Sequence, residues 1–260
     1  MTASRVIVVT GGASGIGAAC VKHLVHRGDT VVVIDLPGAW ITERMGVQVA
    51  AVYEGDVTDD QRLRDLVDII EQQHGAVEGL INCAGILQHR LPPEELTMAE
   101  WDRVIAVDQR GTYLASVVFG ERMARRGAGS IINIASITST RSVPLHAYAP
   151  AKAAVLSITQ CLAAEWGRSG VRVNAISPGY TLTEALQAAI DRGDRNPEDL
   201  TSQSAMGRLV DPSEIADAAG FLLSDAARAI TGINLPVDAG WLAGSTWMTY
   251  GGIPPARVRT

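Results

Sequence analysis

Three polar side chains in the middle of the sequence are of the types that move a proton at an alcohol or carbonyl oxygen. Tyr148 and Lys152 are four residues apart, so on a helix they would share one face. A free phenol, with a pKa of about 10, is too weak a base near neutral pH, and a neighbouring cation lowers that pKa. Ser136 would hold the substrate oxygen as a neutral donor. Together these residues predict the general acid–base chemistry that hydride transfer to a carbonyl requires.

The position of this pair makes it informative, because a tyrosine four residues before a lysine is by itself common. Ser136 ends a predicted strand over residues 130–136. Pro150 would break a helix interior but is tolerated in a first turn, so it places the start of the next helix near Tyr148. The pair therefore follows a strand that ends in the serine, at the edge of a predicted site.

A glycine-rich turn follows the first predicted strand and reads TGGASGIG over residues 10–17. Its glycines allow a tight turn and a close approach of backbone N–H groups to a pyrophosphate, which would lie at the positive end of the next helix. A strand before the turn and a helix after it favour dinucleotide binding over an ordinary turn. The residues expected to bind are Gly11, Ser14, Gly15, Ile16 and Gly17.

An acidic residue, Asp35, ends the second predicted strand about 20 residues after these glycines. A carboxylate there accepts hydrogen bonds from the adenosine ribose hydroxyls and repels a 2′-phosphate. No arginine lies in the next few positions, so NAD is favoured over NADP as the cofactor. The alternative is that Asp35 only ends a strand.

The elements that must position these residues alternate along the chain between continuous apolar strands and helices. Strands that are apolar along their whole length, alternating with helices, are typical of a parallel sheet covered on both faces. We predict one doubly wound α/β domain over residues 1–260. The strands are predicted at 5–10, 30–35, 47–53, 80–82, 130–136, 171–177 and 233–237, and the helices at 15–27, 59–73, 98–107, 112–125, 151–166 and 212–223.

Two segments depart from this alternation. Residues 183–210 are polar and irregular, which fits either a mobile lid over the site or a solvated surface loop. The tail over residues 241–260 carries Trp247 and Tyr250 among other apolar residues, and we predict that it docks across a subunit interface. Deleting residues 245–260 without a change in assembly or activity would contradict this prediction.

Composition excludes several classes of function. The chain has 260 residues, 47% of them hydrophobic, with a net charge of −6 and no basic stripe, so nucleic acid is not an expected partner. The five histidines show no ligand spacing, so no metal site is expected. No leader peptide is recognisable, no apolar stretch approaches the roughly 18 residues of a membrane span, and the three cysteines form no CxxC pair. A cytoplasmic location away from membranes is therefore expected.

The motifs taken together resemble those of the short-chain dehydrogenases/reductases over nearly the whole chain. They are TGGASGIG (10–17), Asp56-Val57, NCAG (82–85), Ser136, YAPAK (148–152), RVNAISPG (172–179) and Thr183. The resemblance implies a Rossmann-like sheet of seven parallel strands with helices on both faces, and a homotetramer or homodimer.

The resemblance also implies a set of residues around the cofactor. Asp56 and Val57 would hold the adenine, and Lys152 would bind the nicotinamide ribose. The residues implied along the ribose and the strand end are Asn82, Ala84 and Gly85. Those implied beside the nicotinamide are Pro178, Gly179, Thr181 and Thr183.

For catalysis the resemblance implies Tyr148 as acid and base and Ser136 as holder of the substrate oxygen, with one departure at Asp108. Similar family members usually carry Asn there, which bends the helix and positions a water that links Lys152 to solvent. A carboxylate can also accept from that water, but its charge would raise the lysine pKa and weaken activation of the phenol. We therefore expect Asp108→Asn to keep activity and to shift the alkaline limb of the pH–rate profile. The alternative is that Asp108 caps or pairs locally.

The predicted substrate pocket is polar. Its walls are expected to include Thr138, Arg141, His146 and Tyr180, and its rim to include Gln88, His89 and Arg90. This lining suits a polyol, sugar or sugar acid better than a steroid or fatty acyl chain, and Arg141 leaves room for an anionic group.

Other functions stay open at this point. The chain could be an NADH-dependent reductase of a cyclic or acyl ketone, or a dinucleotide-binding sensor without catalysis. A sensor would not need Tyr148, Lys152 and Ser136 together. Isomerases and epimerases of sugar nucleotides resemble this fold but usually need a larger carboxyl-terminal region.

Overall fold

Seven parallel strands form one sheet, in the order β3-β2-β1-β4-β5-β6-β7. The computed structural model describes residues 4–39 and 45–255. The strands are β1 (Val6–Thr10), β2 (Thr30–Asp35), β3 (Ala51–Glu54), β4 (Val77–Asn82), β5 (Gly129–Ile134), β6 (Val171–Pro178) and β7 (Asn234–Val237). The predicted doubly wound, seven-stranded Rossmann-like fold is confirmed.

Helices connect the strands and cover both faces of the sheet. In the described residues they are α1 (Gly15–His26), α2 (Asp60–His74), α3 (Met98–Val104), α4 (Thr112–Arg126), α5 (Tyr148–Trp166), α6 (Glu184–Asp191), α7 (Pro197–Thr201), α8 (Pro212–Leu223) and α9 (Trp241–Gly244). A π-helical segment, Ile105–Gly111, joins α3 to α4 without a break. None of these helices combines the length and the apolar content needed to cross a bilayer.

Two apolar cores lie on opposite faces of the sheet, because successive strand residues point to opposite sides. Val8 and Leu80 face one core, which α2 and α4 cover. Their neighbours Val9 and Ile81 face the other, which α1 and α8 cover. Each strand is therefore buried on both faces, which explains its unbroken apolar sequence.

The sheet order reverses between β1 and β4, and the carboxyl ends of these two strands lie side by side. Thr10 of β1 is in register with Asn82 of β4 and with Ile34 of β2. In open α/β sheets, ligands bind in the crevice that such a reversal creates. The glycine turn after Thr10 and the segment after Asn82 therefore border the same crevice.

Three predicted strands differ by two residues or more from the observed ones. The fourth begins at Val77, not at residue 80. The third begins at Ala51, not at residue 47. The fifth ends at Ile134, and Ser136 instead caps a short 3-10 turn, where its Oγ accepts from Thr138 N at 3.2 Å. Strand pairing continues only to Ala135 N, which donates to Ile176 O at 2.8 Å. The serine hydroxyl then competes for the next free backbone donor.

The segment over residues 183–210, predicted to be irregular, contains α6 and α7. Two polar residues of this segment are helix caps. Thr183 Oγ1 accepts from Leu186 N at 3.3 Å, and Asn196 Oδ1 accepts from Glu198 N at 3.1 Å. A backbone bond from Val210 N to Tyr180 O, 2.9 Å long, closes the base of the segment. No residue of α6 is buried, so this helix contributes nothing to the two cores.

Candidate functional site

The glycine turn forms a cradle that side chains would fill. Gly11 and Gly15 adopt positive φ angles of 66° and 52°, which favour glycine. A Cβ on Gly11 would lie 2.6 Å from the backbone nitrogen of Ala84, and one on Gly17 would collide with the carbonyl oxygen of Gly11. Ser14 is the N-cap of α1, and its side chain makes no capping hydrogen bond. The N-terminus of the helix therefore follows directly from this turn. The arrangement fits a pyrophosphate held by backbone N–H groups.

Asp35 lies against this turn at the end of β2. Its Oδ2 accepts from Ala13 N at 2.8 Å, and its Oδ1 accepts from Leu36 N at 2.8 Å. The carboxylate is half-buried, so it braces the turn and still meets solvent on one side. Both earlier interpretations, a ribose acceptor and a strand terminus, are compatible with this position.

The implied adenine residues have different surroundings. Val57 is buried, with 6% of its surface exposed. It packs closely on Gly111, because a Cβ at that position would lie 2.7 Å from Val57 Cγ2. Asp56 is exposed, and its Oδ1 accepts from both the backbone nitrogen and the hydroxyl of Thr58 at 2.8 Å. Asp56 therefore caps its own turn before α2 begins.

The side chain of Asn82 is buried and belongs to a polar network. Its Nδ2 donates to Ser116 Oγ at 2.9 Å and to Asn133 Oδ1 at 2.8 Å. Asn133 Nδ2 in turn donates to Thr159 Oγ1 at 2.9 Å. Asn82 Oδ1 finds no hydrogen-bond partner among the described residues. Sequence reasoning missed this buried network, although a polar residue inside the apolar run of β5 was a signal for it.

The three candidate acid–base residues meet as their sequence positions suggested. Lys152 Nζ lies 5.6 Å from the centre of the Tyr148 ring and donates to Ile134 O at 3.1 Å. Ser136 is 8% exposed and Lys152 is 5% exposed. The Ser136 hydroxyl lies near enough to the Tyr148 phenol to lower its pKa.

The pKa of Tyr148 is raised overall, whereas we expected from the sequence that the neighbouring lysine would lower it. Burial raises the pKa of Tyr148 above its usual value, and this outweighs the Lys152 ammonium, which lowers it. The Asp108 carboxylate raises the pKa of Tyr148 further, and the Ser136 hydroxyl lowers it. The cation therefore acts in the expected direction but does not overcome the loss of water around the ring.

Asp108 forms a buried ion pair with the lysine. Its Oδ1 lies 3.1 Å from Lys152 Nζ, its side chain is 0% exposed, and both of its oxygens accept from Ile86 N at 3.3 Å. Burial alone would lower the pKa of Lys152, but the charges of Asp108 and Tyr148 raise it above its usual value. Burial likewise raises the pKa of Asp108, and Lys152 opposes this. The pairing is direct and joins the π-helical segment to α5, so it is not the local cap or pair considered as the alternative.

Gly85 makes room for this pair. A Cβ at Gly85 would lie 2.6 Å from Asp108 Oδ1 and 3.5 Å from Lys152 Nζ. The π-helical segment supplies the other constraint, because it turns Asp108 inward while Thr112 Oγ1 donates to the Asp108 carbonyl at 2.8 Å. Single π turns inside helices are frequent at functional sites.

The residues implied beside the nicotinamide follow β6. A Cβ on Gly179 would lie 2.7 Å from the Cα of Asp238, so that turn packs directly on the chain after β7. Thr183 Cγ2 would lie 3.4 Å from a Cβ on Gly15, which places the start of α6 beside the glycine turn. Thr181, 8% exposed, donates to Gly179 O at 3.0 Å. Pro178 ends β6.

The predicted pocket residues are only partly brought together. Thr138 Oγ1 is buried and finds no hydrogen-bond partner among the described residues. Arg141 is exposed and donates to the neighbouring Thr140 O at 2.9 Å. The Tyr180 ring packs edge-on against Trp241, with the ring centres 5.9 Å apart.

A cavity of about 340 Å³ lies between the two loops that flank the site. It is lined by Arg90, Leu91, Pro92, Pro93, Pro144 and His146. The expectation that Gln88 reaches the rim is wrong, because its side chain is 3% exposed and contacts the start of α5. His89 Nδ1 lies 3.1 Å from Glu100 Oε1. In the part of the chain that the structure describes, no three His, Cys, Asp or Glu residues cluster as metal ligands would.

Known proteins resemble this chain along most of its length. The family model described as enoyl-(acyl carrier protein) reductase matches residues 11–242. D-threitol dehydrogenase of Mycolicibacterium smegmatis is 38% identical over 91% of this chain and 92% of its own length. Cis-4-hydroxycyclohexanecarboxylate dehydrogenase of Sinomonas cyclohexanicum is 37% identical over 93% and 98%. Galactitol 2-dehydrogenase of Rhizobium johnstonii is 38% identical over 90% and 93%.

Solved structures agree with the fold. A Brucella melitensis 16M structure named as ribose-5-phosphate isomerase is 45% identical, with a TM-score of 0.91 over 97% of this chain and 98% of that chain. An oxidoreductase of the short-chain dehydrogenase/reductase family from Burkholderia thailandensis is 32% identical, with a TM-score of 0.87 over 96% and 97%. The chain belongs to the short-chain dehydrogenase/reductase family, whose dehydrogenases act on CH–OH donors, and it is an enzyme of that class.

Proposed function

We propose that this enzyme is an NAD-dependent dehydrogenase that oxidises a secondary alcohol or hemiacetal of a polyol, sugar or sugar acid. The observation that carries the proposal is the Lys152 ammonium held between the Tyr148 ring and the Asp108 carboxylate, beside the glycine cradle. That constellation suits proton transfer at an oxygen next to a bound dinucleotide.

In the direction of oxidation, the Tyr148 phenolate takes the proton of the substrate hydroxyl. Ser136 donates a hydrogen bond to the substrate oxygen and keeps it within reach of the phenol. The Lys152 ammonium stabilises the phenolate, and Asp108 keeps the lysine charged. The nicotinamide cofactor, when bound, supplies the hydride acceptor for oxidation and the hydride donor for reduction. In reduction, the phenol returns its proton to the new alkoxide.

The cofactor would be held by the residues that border the crevice. We propose backbone contacts from the glycine turn to the pyrophosphate, Asp56 and Val57 at the adenine, and Lys152 at the nicotinamide ribose. The remaining proposed contacts are the backbone of Asn82, Ala84 and Gly85 and the turn of Pro178, Gly179, Thr181 and Thr183.

The preference for NAD over NADP rests on Asp35. Its carboxylate lies on the glycine turn, where a 2′-phosphate would meet its negative charge. Since it is half-buried, solvent would screen that repulsion only in part. Steady-state kinetics with both cofactors tests this preference, and equal kcat/KM values would refute it.

A hydroxylated substrate is supported by the relatives and by the lining of the cavity. Two relatives are named for polyols and one for a hydroxylated ring acid. Arg90 and His146 both line the cavity, whose walls also include three prolines, and His146 lies two residues before Tyr148. Arg90 forms no ion pair with a described residue, so its charge is available to a carboxylate. We therefore propose a hydroxylated substrate, with hydroxy acids among the best.

The segments outside the central fold have proposed roles too. We propose that residues 183–210 close over the substrate, and that the tail over residues 241–260 docks on a second subunit of a homotetramer or homodimer in the cytoplasm. Trp247 is 52% exposed and Tyr250 is 89% exposed, which leaves apolar surface for that contact. Residues 256–260 lie outside the described part. Light scattering of a variant that lacks residues 245–260 tests the assembly.

The experiment that tests the activity follows NADH absorbance with polyols, aldoses, sugar acids and cyclic alcohols, each with NAD and with NADP. We expect turnover with NAD on one of the hydroxylated classes. Activity confined to hydrophobic ketones with NADH would favour the alternative, a reductase of cyclic or acyl ketones. NADH binding without turnover on any substrate would favour a non-catalytic sensor.

The name of the Brucella structure calls for one more arm of this experiment. Conversion of ribose 5-phosphate to its ketose, measured without any dinucleotide, would overturn the proposal. We expect none, because an isomerisation without a dinucleotide makes no use of the glycine cradle beside Tyr148.

A further inference from the structure

The helix that carries Tyr148 begins without a cap of its own. The first four N–H groups of any α-helix lack partners within that helix, and a polar side chain at the N-cap usually satisfies one of them. The N-cap of α5 is Ala147, which has no polar side chain to offer. Tyr148 is the first residue of the helix, so any looseness in this turn would move the phenol.

Gln88 supplies the missing acceptor from a distant loop. Its Oε1 accepts from Ala147 N at 2.6 Å and from Tyr148 N at 3.2 Å, and it lies 59 residues before Ala147. Two N–H groups face this atom, so it must be the amide oxygen and not the nitrogen. Gln88 Nε2 is buried and finds no partner among the described residues. Among the described residues, the Gln88 side chain therefore makes hydrogen bonds through its oxygen alone.

The surroundings of this contact are apolar. Leu96, Val104, Ala147 and Ala151 form a buried cluster against which the Tyr148 ring packs. Gln88 itself is 3% exposed, so water cannot easily replace its oxygen. Hydrogen bonds in such a dry setting are strong, and losing one leaves backbone donors unsatisfied.

The charged groups near this turn lie on both sides of it. Lys152 and Asp108 face the Tyr148 ring from α5 and from the π-helical segment. On the loop after Gln88, His89 is paired with Glu100. Arg90 and His146 line the cavity between the two loops.

We propose that Gln88 is a positioning residue, whose buried amide oxygen clamps the first turn of α5 and thereby holds the Tyr148 phenol in register with Ser136 and Lys152. The proposal rests on the proposed role of Tyr148 as acid and base. It adds a residue, outside the family motifs quoted above, that acts on catalysis through the position of Tyr148.

The first test replaces Gln88 with Met, which keeps the length of the side chain and removes the acceptor. We expect kcat to fall roughly 10- to 100-fold, because a displacement of about 1 Å at a reacting group costs that much. NADH affinity should stay within about twofold, since the glycine cradle is untouched. The matched control is Gln72→Met, an exposed glutamine on α2, which should behave as the wild type.

The second test replaces Gln88 with Glu, which keeps an acceptor for the two N–H groups and gives up only the unpartnered Nε2. We expect kcat to recover to within about threefold of the wild type at high pH. The new negative charge near the helix start should raise the pKa of Tyr148, so the alkaline limb of ketone reduction moves to higher pH. Since this charge acts on Tyr148 whatever role Gln88 has, the recovery of kcat and not the limb tests the clamp. A purely structural role would predict a loss of stability in Gln88→Met and its rescue in Gln88→Glu, with the same kcat in both folded variants.

Amide hydrogen exchange across residues 145–152 keeps the proposal testable apart from activity. Exchange of Ala147 and Tyr148 should be faster in Gln88→Met than in the wild type and slow again in Gln88→Glu. If folded Gln88→Met keeps the wild-type kcat and exchange, the proposal is overturned. If Gln88→Met does not fold, fast exchange of Ala147 and Tyr148 in Gln88→Glu together with a wild-type kcat overturns it. Absence of turnover in the wild type would instead refute the proposed function. The exchange result would then decide by itself whether Gln88 holds the first turn of α5.

Discussion

The two halves of the crevice are built in different ways. The dinucleotide half is one continuous stretch, residues 10–17, in which glycine conformations and a helix start create the cradle. The catalytic half is assembled from Ser136 after β5, Tyr148 and Lys152 on α5, and Asp108 in the π-helical segment. The first half depends on local backbone geometry, and the second depends on how separate elements pack.

The carboxylates of the two halves show the same contrast. Asp35 is half-exposed and accepts two backbone N–H groups beside the glycine turn. Asp108 is 0% exposed and is paired with Lys152. A charge at the first position acts on what binds, whereas a charge at the second acts on the proton affinity of its neighbours. Substitutions in the two halves should therefore separate binding from turnover.

The largest effect is expected from Tyr148→Phe. Removing the only phenol beside Lys152 in the described site deletes the acid and base, so kcat should fall about 1,000-fold. NADH affinity, measured by fluorescence titration, should change less than about twofold. Tyr113→Phe on α4, where the ring is 48% exposed, is the matched control. Unchanged turnover in Tyr148→Phe would refute the catalytic half.

Gly17→Ala should weaken cofactor binding, whereas Tyr148→Phe should slow turnover. The new Cβ would collide with the Gly11 carbonyl, so the turn must shift and NADH affinity should fall at least roughly tenfold. Gly167→Ala is the control, because a Cβ there meets nothing within 4 Å. If the Gly17 variant binds NADH as tightly as the wild type, the cradle does not hold the cofactor.

Asp35→Asn tests charge in the dinucleotide half with little change of shape. Because the repulsion of a 2′-phosphate disappears, the ratio of kcat/KM for NAD over NADP should fall about tenfold, which corresponds to about 1.4 kcal/mol. Glu54→Gln is a matched control, since Glu54 is in register with Asp35 on the next strand. An equal change of the ratio in both variants would show a general effect of surface charge.

Asp108→Asn should have the smallest effect on rate and a clear effect on pH dependence. The Asp108 charge raises the pKa of Tyr148, so its removal lowers that pKa. Ketone reduction needs the protonated phenol, so its alkaline limb should move to lower pH. Alcohol oxidation needs the phenolate, so it should begin at lower pH. The maximal rate should stay within about fivefold of the wild type, since Asn can still accept from Ile86 N.

Asp102→Asn, an exposed change on α3, is the control for this profile. An alkaline limb that does not move, or that moves to higher pH, would contradict the assigned influence of Asp108 on the phenol. Complete loss of turnover would show that the carboxylate itself is required.

Most of the fold could be predicted because its signals are local. The continuous apolar runs predicted β1 and β2 almost to the residue, and the helix predicted over 212–223 has the bounds of α8. The bounds of β3 and β5 were less predictable, because polar residues near strand ends can pair either with the sheet or with their own turn. Ser136 follows the second course.

The buried polar contacts were the least predictable part. Asn82 belongs to a binding motif in the sequence, but its side chain joins a network with Ser116 and Asn133. Gln88 was expected at a rim and instead holds the start of α5. In both cases the partner is far away in the chain, so no spacing within a motif could indicate it.

The sequence by itself determined the parallel sheet, the glycine cradle and the place of Asp35, because hydrophobic periodicity and glycine conformations act over a few neighbouring residues. Only the tertiary structure decided that Asp108 pairs directly with Lys152 and that burial raises the pKa of Tyr148. It also decided that Gln88 accepts a hydrogen bond at the start of α5, the helix that carries Tyr148. These properties depend on which groups lose water together, and that is settled when distant elements pack.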